Sequence, residues 1–276
     1  MTKLEEYYNK FNEEKRLNSR HGQVEFRVSM KYIHKYLDRA AASLDNAAAF
    51  SDIGDKRAKI KVLDIGAGTG RYSVALANEG YDVTAVELVR YNLGILKQKA
   101  STVHAMQGNA MNLKKLNDES FDVTLLFGPM YHLFGFDDKS KALGEAKRVT
   151  KKDGVLLAAY CMNEYSVITY GFKEQHILEC MEQGRFTQDF KTISGPDELY
   201  DYMRIEDIDA LNQAQGLERI EIISPDGAAN YMRPFLNRLS DEEFELFVQY
   251  QMAVCARADL LGAGAHTVDI LRRSDT

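Results

Sequence analysis

No stretch of this 276-residue sequence supplies the long uncharged apolar run that a membrane-crossing helix requires. The opening Met1-Thr2-Lys3-Leu4-Glu5-Glu6 lacks the apolar segment and small-residue cleavage site of an export signal, so a soluble, cytoplasmic protein is expected. Cysteine is scarce. Cys161, Cys180 and Cys255 are far apart, odd in number and outside any Cys-x-x-Cys or Cys/His cluster, which argues against a disulfide framework and a zinc site. His104 and His176 have no partners at metal-ligand spacing, and no metal is expected. A long Lys/Arg run is missing too, and the net charge is -6; phosphate neutralisation dominates nucleic-acid affinity, so nucleic acid is a poor expectation as a partner.

What is present reads as one folded unit: 45% hydrophobic and 28% charged residues, without low-complexity tracts, on a chain long enough for one sizeable core. Apolar residues recur at helical spacing from 4 to about 44, with Tyr7, Tyr8 and Phe11 on one stripe and Val28, Ile33, Tyr36 and Leu37 on another. The turn residues at 18–22 predict a break between two helices. Then β-like and helix-like runs alternate: a strand over 60–65, a helix over 72–79, a strand over 82–87, a helix over 92–100, strands over 103–107 and 121–127, a helix over 140–149 and a strand over 154–161. Such βα repetition predicts a mostly parallel sheet covered on both faces. The later pattern is less regular, with helical stretches over 174–183, 205–214 and 241–261, a strand over 217–224 and a final strand over 266–271 expected to return to the sheet edge. The stripe Phe247, Tyr250 and Val254 on the helix over 241–261 suits internal packing or a dimer, so monomer and homodimer both stay open.

The most informative run is Asp64-Ile65-Gly66-Ala67-Gly68-Thr69-Gly70, between a predicted strand and a predicted helix, with Glu87 closing the next strand. Closely spaced glycines permit positive φ and close approach of backbone to a ligand at the carboxyl end of the strands. Glu87 can accept hydrogen bonds from both hydroxyls of a ribose. A dinucleotide fingerprint would read Gly-x-Gly-x-x-Gly and aim backbone amides at a pyrophosphate; here the spacing is Gly-x-Gly-x-Gly, and Asp64 would repel that anion. Asp64 suits a ligand bearing a sulfonium and an ammonium, which favours S-adenosylmethionine.

Over residues 61–161 the sequence resembles the class I S-adenosylmethionine-dependent methyltransferases, small-molecule type. Residues 62–70 look like the family's first motif and Glu87 like its ribose-binding acid; Gly108-Asn109-Ala110 stands where relatives often have Gly-Asp-Ala, and Phe127-Gly128-Pro129-Met130-Tyr131-His132-Leu133 looks like the fourth motif. The resemblance implies an α/β fold: a Rossmann-like seven-stranded, mostly parallel sheet, last strand antiparallel, with a helical lid. It implies a helical cover over 1–50, a cofactor-binding core over 51–161, a lid insertion over 162–204 and the rest of the core, with a helical insertion, over 205–276. The implied cofactor-binding residues are Asp64, Gly66, Ala67, Gly68, Gly70, Tyr72, Glu87, Leu88, Asn109, Ala110, Phe127 and Gly128. Asn109 and Ala110 would lie against the adenine.

The acceptor would approach Tyr131 and His132, the candidate catalytic residues, His132 as a general base or as packing and Tyr131 as an orienting hydroxyl or as filler. Gly128-Pro129-Met130-Tyr131 departs from the Asn/Asp-Pro-Pro-Tyr of enzymes that methylate nucleobases or protein glutamine, and so argues against that subclass. Arg16, Arg20, His21, Glu25 and Arg27 form either a cofactor-facing cluster or a solvated helix face. The function read here is methyl transfer to an unidentified small molecule, driven mainly by positioning. A cofactor-binding protein without turnover, a nucleic-acid or protein methyltransferase and a nucleotide-dependent oxidoreductase are the alternatives.

Overall fold

A computed structural model describes residues 6–7, 19–45, 56–100 and 102–274. Seven strands form one sheet: β1 (Lys61–Ile65), β2 (Asp82–Glu87), β3 (His104–Gln107), β4 (Phe121–Leu126), β5 (Thr150–Cys161), β6 (Leu217–Ile223) and β7 (His266–Arg273), in the order β3-β2-β1-β4-β5-β7-β6. Pairings among β1 to β5 are parallel, and β7 runs antiparallel to both β5 and β6. The period-2 alternation of strand side chains separates two cores. Val62, Val123, Leu125 and Leu157 face one layer, while Leu63, Ile65, Leu126, Leu156 and Ala158 face the other.

The helices, in chain order, are α1 (Arg20–Asp45), α2 (Arg71–Asn78), α3 (Arg90–Lys99), α4 (Pro129–His132), α5 (Gly135–Val149), α6 (Asn163–Ser166), α7 (Ile177–Glu182), α8 (Ile205–Gln215), α9 (Arg233–Leu236) and α10 (Asp241–Val254). Within the predicted break at 18–22, Ser19 is a bend and α1 starts at Arg20. Ser19 Oγ accepts the Gly22 N–H at 3.3 Å, and α1 continues unbroken through Gly22. Its apolar stripe, Val24, Val28, Ile33, Tyr36 and Leu37, is buried in the first core layer.

Three expectations are corrected. The final strand does not lie at the edge: β7 sits between β5 and β6, and residues 267–271 are buried throughout. Asp269 masks this in the sequence. Its buried carboxylate accepts from Arg219 at 2.7 and 2.9 Å and from Asn212 Nδ2 at 2.7 Å, which allows a charge inside a central strand. The helix expected over 241–261 ends at Val254, where the Cys255 carbonyl accepts the Ser224 N–H at 2.8 Å and the chain turns away. Its buried residues are Phe244, Val248 and Gln251, and Tyr250 is exposed; the buried side belongs to the same core layer as α1. The helical stretch expected over 174–183 is shorter, α7 beginning only at Ile177, because a π-helical turn follows α6 over Val167–Lys173 and Gln175 takes positive φ (64°) before α7 begins.

The segment between β5 and α8 leaves the sheet at Cys161 and returns beside it, Met203 N–H donating to the Cys161 carbonyl at 2.8 Å. Lys139, almost fully buried, pairs with Asp201 at 2.6 Å and fixes this returning segment to α5. Among the described residues, no helix is long and apolar enough to cross a membrane.

Candidate active site

The cleft lies at the carboxyl ends of β1, β2 and β4, where open α/β sheets bind ligands. Its first wall is the turn after β1. Gly66 adopts φ +78°, its N–H donates to the Val86 carbonyl at 2.8 Å, and a Cβ there would stand 2.4 Å from Pro129 Cδ and 2.9 Å from the Phe127 carbonyl oxygen. The loops after β1 and β4 therefore pass in contact only because residue 66 has no side chain. Gly68, at φ +56°, has nothing within 4 Å of where a Cβ would be, because that direction opens into the cleft.

Glu87, at the end of β2, is 5% exposed. Its two oxygens accept the Gly68 N–H at 2.8 Å and the Val89 N–H at 2.7 Å, so one carboxylate shapes the glycine turn. Burial pushes its pKa up, and the N–H donors of Val89 and Gly68 with the Asn92 side chain counter part of that rise. Asp64 is more deeply placed and accepts from Ser73 Oγ. Burial pushes it up to about 6 against the help of Ser73, and the nearby Glu87 charge adds to the rise.

This shift carries a sign. Between about pH 4 and 6 folded Asp64 holds a proton that the unfolded chain has released, so the group lowers stability as pH rises through that window. Asp64→Asn is expected to raise stability at pH 7 by on the order of 2 kcal/mol and to flatten that slope, as read by urea unfolding at several pH values. The same variant is expected to lose about 10-fold or more in affinity for a ligand whose ammonium faces the carboxylate.

The other walls bring most sequence-predicted residues to one cavity of about 460 Å³: Asp64, Gly66, Ala67, Gly68, Tyr72, Glu87, Leu88, Asn109, Ala110, Phe127, Gly128, Tyr131 and His132 all line it. Asn109 Oδ1 accepts the Met111 N–H at 2.9 Å, which sets the loop after β3. Tyr72 links Phe26 of α1 and Phe127 at ring distances of 5.3 and 5.1 Å. His132 Nδ1 stands 2.7 Å from the Leu199 carbonyl; a carbonyl only accepts, so the proton sits on Nδ1 and the ring is oriented by the returning segment.

Gly70 is the exception, since it does not line the cavity. It is the left-handed N-cap of α2, and a Cβ there would stand 2.2 Å from Leu96 Cδ1, so the third glycine of the motif serves packing. The N-terminal polar cluster also divides. Arg20 caps the carbonyls of Leu236 and Leu239 and pairs with Asp241; Arg27 forms a two-pronged pair with Glu245; and His21 contacts Ser19. Among the described members of this group only Glu25 reaches the cavity, and Arg16, Tyr8 and Phe11 lie outside the described residues. His104 faces Asp82 at 3.6 Å, and His176 stacks on Tyr170 near Glu179.

Sequence reasoning missed a second half of the cavity, lined by Tyr165, Tyr200, Tyr202, Cys161, Arg233 and His266. Beside it Asp226, fully buried, receives His266 Nδ1 at 2.8 Å, and the Glu25 carboxylate stands 3.9 Å from the same nitrogen. Burial alone would pull the imidazole down, but the charges of Glu25 and Asp226, together with the Cys161 thiol, raise His266 well above 6.5. The Tyr131 ring is 5.3 Å from the His266 ring. No sequence motif joins these residues. The only local sign was the turn Gly262-Ala263-Gly264 just ahead of His266.

Comparison with known proteins agrees with this geometry. Residues 63–158 match the family model described as a methyltransferase domain. A demethylmenaquinone methyltransferase of Renibacterium salmoninarum is 38% identical over 112 residues, 40% of this chain and 44% of that protein. A glycine/sarcosine N-methyltransferase of Aphanothece halophytica is 29% identical over 121 residues, 42% and 45% respectively. The chain thus spans less than half the length of these relatives. A crystal structure described as an S-adenosylmethionine-dependent methyltransferase, possible histamine N-methyltransferase, from Thermotoga maritima shares the fold over 98% of this chain and 99% of that one, with TM-score 0.52 and 20% identity. The sheet order defines a Rossmann-like fold. More narrowly, residues 63–158 are similar to the methyltransferase domain of these relatives.

Proposed function

We propose that this chain is an enzyme that transfers the methyl group of S-adenosylmethionine to a small molecule. The observation that carries the reading is the shape of the cavity: one space runs from the glycine turn and Glu87 to a separate wall built from Tyr165, Tyr200, Tyr202 and His266. A volume of about 460 Å³ lies within the range of small-ligand sites, and the two chemically distinct ends suit two ligands. The methyltransferase names of the relatives support the reaction class.

The residues present fit the cofactor. Glu87 is a buried carboxylate that lines the cavity, Gly68 leaves open space beside the turn, and Asp64 offers a buried anion. Asp64 and Glu87 would hold the ammonium and ribose ends, with Asn109 and Ala110 at the adenine. When bound, the cofactor supplies an electrophilic methyl carbon whose leaving group departs neutral. The protein's part is then to hold the acceptor in line, exclude water and receive any proton; proximity and orientation are worth on the order of 7 to 11 kcal/mol in favourable cases. Tyr131 and His132 sit where β4 ends, beside the region the acceptor must enter.

Incubation with methyl-labelled S-adenosylmethionine and a small-molecule cell extract tests the proposal. Label moving into solvent-extractable small molecules is the expected result. Label that stays in the bound cofactor would favour a binding protein without turnover, and label in precipitated nucleic acid or protein would favour a macromolecular acceptor.

A further inference from the structure

We infer that Cys161 is a covalent modification site, a nucleophilic thiol in a Cys-His-Asp constellation on the cavity wall that adds to small, uncharged, activated alkenes. The sheet builds the constellation. Cys161 ends β5, His266 begins β7, and the two are register partners of the antiparallel pair, so their side chains leave the same face of the sheet as neighbours. Both line the cavity of about 460 Å³, and the Cys161 carbonyl is fixed by the Met203 N–H at 2.8 Å. Behind the ring, Asp226 accepts from His266 Nδ1 at 2.8 Å and from the His266 backbone N–H at 3.3 Å, and Asn230 Nδ2 donates to the same carboxylate at 2.7 Å. Nucleophile, imidazole and orienting carboxylate thus stand in the order of an activated thiol.

The charges around the sulfur favour its attack. Burial works against a charge on His266, but the carboxylates of Glu25 and Asp226, with the thiol itself, outweigh burial, and the ring is an imidazolium at neutral pH. Negative charge that gathers on sulfur as its proton leaves then meets a cation held in place. Lys139, paired with Asp201 at 2.6 Å, is a second cation within electrostatic reach of the sulfur. Arg71, over the Phe26 ring, and Arg233, on Asn230 Oδ1, bring further positive charge to the cavity. Asp226 and Glu25 act through the ring, at 2.8 and 3.9 Å from Nδ1, and Asp64 and Glu87 stand at the glycine turn. A cavity with charges of both signs admits an uncharged electrophile at least cost.

The other two cysteines lack this setting, and neither lines the cavity. Cys255 directs its thiol to the Tyr32 hydroxyl at 3.5 Å and the Met252 carbonyl at 3.6 Å within the first core layer. Burial pushes the Cys180 thiol of α7 up, against the help of Arg185. The step at Cys161 is an addition. The sulfur electron pair forms an S–C bond to one alkene carbon, the π pair moves to its neighbour, and the proton that left sulfur ends there, so nothing is oxidised and no group departs. The adduct occupies the cavity beside Tyr202. The inference concerns a thiol of the chain itself and is independent of the methyltransferase reading.

Timed labelling of the folded protein with N-ethylmaleimide, followed by peptide mass spectrometry of all three cysteines, tests this. Cys161 is expected to react about 10-fold or more faster than Cys180 and Cys255. A maleimide carried on a polyethylene glycol too large for the cavity is expected to leave Cys161 unlabelled until urea unfolds the protein. His266→Gln is expected to slow Cys161 by about 10-fold while Cys180 and Cys255 stay protected. Those two thiols report any unfolding of the variant, in which case the order of reactivity in the unsubstituted protein decides alone. Equal or slower reaction of Cys161 in the folded protein overturns the inference, as does a Cys161 rate that His266→Gln leaves unchanged while the other thiols stay protected. Labelling by the polymer-borne reagent as fast as by N-ethylmaleimide would place the thiol on an open surface and overturn the cavity site.

Discussion

Gly66→Ala is expected to abolish S-adenosylhomocysteine binding and to cost at least about 3 kcal/mol of stability, because it brings two penalties to one atom. The first is conformational, since residue 66 holds φ +78°, a region an alanine occupies only under strain. The second is steric. The new methyl would lie 2.4 and 2.7 Å from Pro129 Cδ and Cγ and 2.9 Å from the Phe127 carbonyl oxygen. Neither neighbour is a flexible chain end, so the loops after β1 and β4 have to separate. Those loops carry the glycine turn and the Phe127-Gly128 wall of the cavity, so the proposed binding site widens as the fold weakens. Urea unfolding and calorimetric titration together check this. Unchanged cofactor affinity in a folded Gly66→Ala variant would contradict the close passage of the two loops.

Glu87→Ala is expected to lower cofactor affinity by on the order of 10² to 10³, while Glu87→Gln loses about 10-fold. The alanine leaves the Gly68 and Val89 N–H groups without their acceptor and removes the carboxylate that would receive the ribose hydroxyls. Glutamine keeps one oxygen, and so keeps one of these two roles. A ribose acceptor acts on any adenosine ligand, so affinity for S-adenosylmethionine and S-adenosylhomocysteine should fall in parallel. A loss confined to one of them would place the carboxylate at the sulfur end instead.

What the sequence discloses divides along physical lines. The turn of residues 64–70 and Glu87 were legible because strand, glycines, helix and acid are neighbours in the chain, and local geometry requires those residue types. Strands β1, β2 and β4 were legible because buried parallel strands read as short apolar runs. Gly70 shows the limit of motif reading: its spacing suggested a ligand contact, and its neighbour is Leu96. The interior position of β7 was hidden because Asp269 looks like an edge residue until Arg219 is seen to neutralise it and Asn212 to donate to it. The Glu25, Asp226 and His266 group was invisible because no periodicity or spacing connects residues brought together only by the packing of α1 over the sheet and the insertion of β7. The half of the cavity around the glycine turn is local in sequence, and the half around His266 is tertiary.

The most direct test of the central claim is calorimetric titration of the protein with S-adenosylmethionine, S-adenosylhomocysteine and NADH, beside Gly68→Arg. Nothing lies within 4 Å of where a Cβ at residue 68 would stand, and the residue lines the cavity, so arginine there is expected to block the proposed cofactor space at the cost of modest backbone strain and to leave the core unaltered. The account predicts micromolar binding of the two sulfur ligands, none of NADH, and loss of binding in a Gly68→Arg protein that still unfolds cooperatively. Binding of NADH alone, or sulfur-ligand binding that persists in Gly68→Arg, would contradict it.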